Sequence, residues 1–142
     1  MRRSRIITIL VVLALIGIQF IEVDRSNPPV TGDLQASVEV KNILKVACYD
    51  CHSNETKWPW YSKVAPVSFL ISNHVIEGRE HLNFSTWGTM YTQKQKEYKK
   101  EIWEEIEKDE MPISNYTWLH PNATLTLDQR RLIKNWALGE KY

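Results

Sequence analysis

The chain has 142 residues and only two cysteines. It cannot build the disulfide framework that holds many small exported domains together. Both cysteines fall in one five-residue stretch, Cys48-Tyr49-Asp50-Cys51-His52. Charge of one sign is also missing: 18 Lys and Arg stand against 17 Asp and Glu. That balance leaves no electrostatic footprint for DNA or RNA, and no nucleic-acid partner is expected. No internal repeat and no convincing strand pattern is present, so the expected fold class is all-α. The strand–helix alternation of a thioredoxin-like domain is absent too, which weighs against thiol–disulfide exchange by Cys48 and Cys51. A structural zinc site built on Cys48, Cys51 and His52 needs one more ligand.

The spacing Cys-x-x-Cys-His is the attachment signature for c-type haem. Two thiols three residues apart can add across the two haem vinyl groups, and the next histidine can bind iron. On a helical turn Cys48, Cys51 and His52 share a face, so all three can address one flat ligand. Six tryptophans and six tyrosines suit either an aromatic wall around a large apolar ligand or a small core of large side chains.

Arg2, Arg3 and Arg5 precede an uncharged run from Ile6 to Ile21 that ends at Glu22. A basic start before an apolar stretch reads as an export signal, a membrane anchor, or both. After Ile16 the chain reads Gly-Ile-Gln-Phe-Ile-Glu-Val-Asp, without an Ala-x-Ala-like cleavage site. An uncleaved signal anchor over 1–23 is therefore expected, with the N-terminus in the cytoplasm and later residues outside it. Without these termini's charges the remainder is close to neutral. Residues 24–33, rich in Asn, Pro and Gly, read as an extended linker, and 34–142 as one domain.

Asp33 is expected to cap a helix from about Leu34 to Ala47, with Ala36, Val40, Ile43, Leu44 and Ala47 as its apolar stripe. Trp58, Trp60 and Tyr61 follow the motif and are candidates for the haem pocket, reaching a propionate through indole N–H or phenol O–H. A second helix is expected over Pro66–Glu80, with Val67, Leu70, Ile71, His74 and Val75 on one face. A third, Gln93–Asp109, carries a charged outer face and the stripe Tyr98, Ile102, Trp103 and Ile106. Thr126 and Gln129 are set for a capping box on a fourth, which Gly139 ends.

Pro112 breaks the third helix, so Met111 is expected to project from a loop. A neutral, soft thioether there suits the iron face opposite His52, and Met/His ligation raises the reduction potential. His120 is the rival ligand, with Met90 and His74 after it. Four Asn-x-Ser/Thr triplets, beginning at Asn54, Asn83, Asn115 and Asn122, suit turns equally well and carry no assigned glycan.

The runs Cys48-Tyr49-Asp50-Cys51-His52-Ser53-Asn54, Trp58-Pro59-Trp60-Tyr61-Ser62, Gly78-Arg79-Glu80-His81-Leu82-Asn83-Phe84-Ser85, Glu110-Met111-Pro112 and Leu119-His120-Pro121 resemble the small haem-binding-domain family of bacterial c-type cytochromes. The resemblance runs from about Leu34 to Ala137. It implies one covalent haem c, His52 as proximal ligand and Met111 as distal ligand. It also implies a compact cytochrome c-like domain of about four helices, held outside the cytoplasm of a bacterium by a single pass through the inner membrane. The expected role is one-electron transfer with unidentified redox partner proteins. A six-coordinate iron has no open position, so enzyme chemistry on a substrate is not expected. A haem-based gas or redox sensor, in which Met111 leaves, is the alternative.

Overall fold

A computed structural model describes residues 2–139; the expected outer limits of the anchor and domain, residues 1 and 142, lie outside the described residues. No strand occurs among the described residues. The first helix, α1, spans Arg2–Gly17, and a 3-10 turn carries it to Phe20. Its 19 apolar-rich residues bury nothing against the protein. At ~1.5 Å per residue that length approaches the ~30 Å hydrocarbon thickness of a bilayer. An anchor and a signal sequence both answer this description.

The segment after α1 runs extended along the domain and is fastened to it repeatedly. Asn54 Nδ2 donates to the Pro29 carbonyl at 3.0 Å, and Asn27 Nδ2 to the Thr56 carbonyl at 2.9 Å. The N–H groups of Thr31 and Gly32 both donate to the Ser85 carbonyl. Arg79 does most of this work from the other side. Its guanidinium donates to the carbonyls of Ser53 and Ser26, to Asn27 Oδ1 and to Thr56 Oγ1. It does not line the main cavity.

α2 spans Val38–Ala47, four residues later than expected. Ser37 is its N-cap, accepting the Val40 N–H, so Asp33 caps no helix. Asp33 instead binds Lys41 Nζ at 2.5 Å and accepts from Tyr49 O–H at 3.0 Å. Those contacts fix the start of the domain to the attachment turn. The buried stripe of α2 is Val40, Ile43, Leu44 and Ala47. α3, Tyr49–His52, is a single turn set directly on the end of α2.

α4 spans Val67–His81. Its buried residues are Ser68, Ser72 and Val75, while Val67 and Leu70 are exposed. The apolar face read from its spacing is covered only in part: Val75 is buried, Ile71 and His74 are half-buried, and all five of its residues border a small cavity. Ser72 turns inward toward backbone: its Oγ donates to the Asp24 carbonyl at 2.7 Å. A polar group buried with a partner costs little.

α5, Thr92–Glu107, buries Ile102 and Ile106 and packs on α7, Leu127–Leu138. The Thr126–Gln129 capping box opens α7, and Gly139, at φ 70°, closes it. α5 ends before Pro112, at a Schellman-type turn. The Asp109 N–H donates to the Ile106 carbonyl and the Glu110 N–H to the Glu105 carbonyl, with Asp109 left-handed at φ 60°. Arg130 of α7 grips this turn, bonding the Ile106 carbonyl at 2.9 Å and the Asp109 carboxylate. A short helix, α6 (Ser114–Leu119), follows and had no signal in the apolar spacing. Val40, Leu44, Phe84, Trp87, Ile106 and Ile133 form the centre of the core between these helices.

Candidate cofactor site

α2 delivers the attachment turn rigidly. Cys48 N–H donates to the Leu44 carbonyl, and the N–H groups of Cys51 and His52 return to the Cys48 carbonyl at 3.1 and 2.9 Å. The motif thus forms one helical turn, with both cysteines free thiols. A cavity of about 380 Å³ opens beside it, within the usual range for ligand sites. Cys48, Cys51, His52 and Met111 all line it. Ala47, Leu82, Phe84, Ile102 and Ile106 give it apolar walls.

His52 is oriented by the last turn of α4. Its Nδ1–H donates to the Gly78 carbonyl at 2.9 Å and to the Leu82 carbonyl at 3.2 Å. A carbonyl only accepts, so Nδ1 carries the proton and Nε2 keeps its lone pair for a metal. Phe84 meets the ring edge-on at a centroid distance of 6.5 Å, and Tyr49 stacks on Phe84 at 5.1 Å. The imidazole is thereby held in both tilt and tautomer.

Burial lowers the His52 pKa below its ordinary 6.5, outweighing the two carbonyl bonds that favour the cation. The fold thus prefers the neutral ring, which is the ligating form. Stability drawn from this preference is complete above pH 6.5 and is lost as acid protonates the ring through the lowered pKa. The haem-free protein should therefore lose thermal stability on acidification below pH 6.5, and His52→Gln should flatten that part of the profile. An acid limb that the substitution leaves untouched would contradict this.

Burial pushes the Cys48 thiol up to about 12, with Cys51 adding to the effect, and the Cys51 thiol to about 11, with help from Asp50. Thiols this resistant to ionisation are poor at disulfide exchange, which proceeds through the thiolate. No group of three or more His, Cys, Asp or Glu suited to a metal ion occurs among the described residues. The donor set around the cavity thus fits haem: two thiols, one oriented imidazole and one thioether within an apolar slot.

Met111 reaches the cavity through the turn that closes α5. Its own N–H donates to the Glu105 carbonyl at 3.2 Å. With Arg130 holding Asp109 and Ile106, the loop that carries the thioether is anchored at its base.

His120 lies elsewhere. It lines a smaller cavity of about 120 Å³ that shares Cys51, His74, Ile113 and Tyr116 with the larger one. Its Nδ1–H donates to the Tyr116 carbonyl at 3.1 Å, and its Nε2 accepts from Tyr61 O–H at 3.2 Å. Both ring nitrogens are thus engaged with the protein. Tyr61 lines this smaller cavity too. Trp60 is 78 % exposed. Trp58 lines neither cavity, and its buried indole N–H lacks a hydrogen-bond partner. His74 borders both cavities, whereas Met90 borders neither.

Several lining residues carried no functional signal in the sequence. Ile102 and Ile106 read as ordinary core, although they wall the cavity. Tyr116, whose O–H donates to Asp50 Oδ2 at 2.8 Å, ties α6 to the middle of the attachment motif. Gly78 could be found only from the fold, because its partner, Cys51, is distant in sequence. Glu77, Glu101 and Glu105 also border the cavity, with no lysine or arginine among its lining residues.

Comparison with known proteins gives one match. No curated protein and no solved structure matches the chain. A family model described as a haem-binding domain matches residues 13–138. That span takes in the attachment turn, the helix that orients His52, the Met111 loop and α7. The chain belongs to the haem-binding domain family.

Proposed function

We propose that the protein is a membrane-anchored c-type cytochrome that binds one haem covalently and transfers single electrons. One observation carries the reading: both motif cysteines, His52 and Met111 line the same apolar cavity. Haem supplies a one-electron couple between ferric and ferrous iron. Cys48 and Cys51 are the attachment residues, each thiol forming a thioether with a vinyl carbon while its proton goes to the neighbouring carbon. His52 Nε2 is the proximal ligand, its direction fixed by the Gly78 and Leu82 carbonyls. Met111 Sδ is the distal ligand. The apolar walls exclude water, which favours the less charged, reduced state.

Two protein ligands leave no position for a substrate, so the protein is not an enzyme on this reading. Its partners are redox proteins that meet the exposed edge of the site. α1 is the anchor, with Arg2, Arg3 and Arg5 on the cytoplasmic side and the domain in the periplasm of the bacterial cell. Haem-loaded protein should titrate as a one-electron couple, and carbon monoxide should leave the reduced spectrum unchanged. A rapid spectral change with carbon monoxide would mean that Met111 yields its place, and would favour a sensor.

A further inference from the structure

The end of α1 is bonded to one corner of the domain. Gln19 makes a paired amide contact with Ala65: its Nε2 donates to the Ala65 carbonyl, and its Oε1 accepts the Ala65 N–H, both at 3.0 Å. Arg25 adds a bond to the Ser62 carbonyl at 3.4 Å. The corner formed by the 3-10 turn Trp60–Lys63 and the start of α4 therefore sits where α1 ends.

That corner shows an inverted pattern. Ser62, Ala65, Ser68 and Ser72 point inward, while Trp60, Val64, Val67 and Leu70 are exposed. Val67 and Leu70 lie one turn apart on α4, where they also border the smaller cavity, and Trp60 and Val64 precede them on the 3-10 turn and the extended residue that follows it. Phe20 and Ile21, beside the Gln19 contact, are exposed as well. Lys63, also exposed, can lay its alkyl stem on such a surface and keep its ammonium in the headgroup layer. Tryptophan and lysine are the side chains that favour this depth.

We infer that the face of Trp60, Lys63, Val64, Val67 and Leu70 is a membrane-docking surface, seated in the headgroup region of the phospholipid bilayer that α1 enters. The inference rests on α1 being an anchor. Its consequence is functional: the haem domain is not free on a tether but held in one orientation, with a fixed part of its surface left for partner proteins.

Photo-crosslinking of the haem-loaded full chain in phosphatidylethanolamine–phosphatidylglycerol vesicles tests it. The variants are Leu10→p-benzoylphenylalanine in α1, Val67→p-benzoylphenylalanine on the proposed face, and Val38→p-benzoylphenylalanine at the exposed start of α2. All three sites are exposed in the fold, so folding is expected to survive. Phospholipid adducts at positions 10 and 67, and none at 38, are the expected result. An adduct at 10 alone would overturn the docking surface and leave the anchor standing. Adducts at neither 10 nor 67 would overturn both. A lipid adduct at 38 as strong as that at 67 would overturn the fixed orientation, and a protein adduct at 67 would replace the bilayer with a partner chain.

Discussion

Gly78→Ala is expected to strip the domain of much of its haem. A Cβ at this position would stand 2.7 Å from the Cys51 carbonyl oxygen and 3.3 Å from Cys51 Cβ. The first distance cannot be tolerated, and the opposing atom is backbone, which cannot rotate aside. α4 and the attachment turn must separate. Alanine gains up to about 1 kcal/mol of helix propensity over glycine, whereas overpacking costs about 1–3 kcal/mol. The net effect is a destabilisation of up to about 2 kcal/mol. The functional loss should be larger than the stability loss. Gly78 O is the nearer acceptor for His52 Nδ1–H, so separating the two elements also releases the imidazole. The haem-to-protein absorbance ratio should fall well below that of Ile76→Ala, a control on the same helix at an exposed position. Equal ratios in the two variants would contradict the role given to Gly78.

Met111→Ala is expected to change the iron without releasing the haem. The thioether bonds belong to Cys48 and Cys51, so the variant should keep its colour on denaturation. What disappears is the weak near-infrared sulfur-to-iron band, together with the high potential that methionine ligation supports. The reduced variant should also bind carbon monoxide, since one axial position is now open. His120→Ala should keep the band. Its ring is occupied by Tyr61 and Tyr116, so its loss should be felt in local packing. A band that persists in Met111→Ala, or vanishes in His120→Ala, would reverse the assignment.

The parts of this fold that could be read from the sequence are those set by local chemistry. A five-residue motif predicts one helical turn, and α3 is that turn. Thr126 and Gln129 predict a capping box, and both of its hydrogen bonds are present. Val40, Ile43, Leu44 and Ala47 of α2 and Ile102 and Ile106 of α5 are buried as spaced, while Ala36, Tyr98 and Trp103 pack against them half-buried. Met111 follows a helix end and borders the cavity, although the turn at Asp109, rather than Pro112, stops the helix.

What could not be read depends on partners far along the chain. Asp33 looks like a helix cap because it precedes an apolar stripe. Its use is decided by Lys41 and Tyr49, and Ser37 takes the cap. The spacing of α4 reads only one of its covered faces: its apolar residues border the smaller cavity, while on the side toward the preceding extended segment Ser72 serves the Asp24 carbonyl. Arg79 and Gly78 carry no local signal of their roles. One ties that segment down, and the other lets two helices touch.

The central claim is covalent attachment of one haem through Cys48 and Cys51. The most direct measurement is the intact mass of the denatured protein, expressed with cytochrome c maturation machinery, beside the double variant Cys48→Ala, Cys51→Ala. The expected result is a mass increase of one haem that survives denaturation, and its loss from the variant lacking both cysteines. A polypeptide of unmodified mass, or an increase that remains without the two thiols, would contradict it.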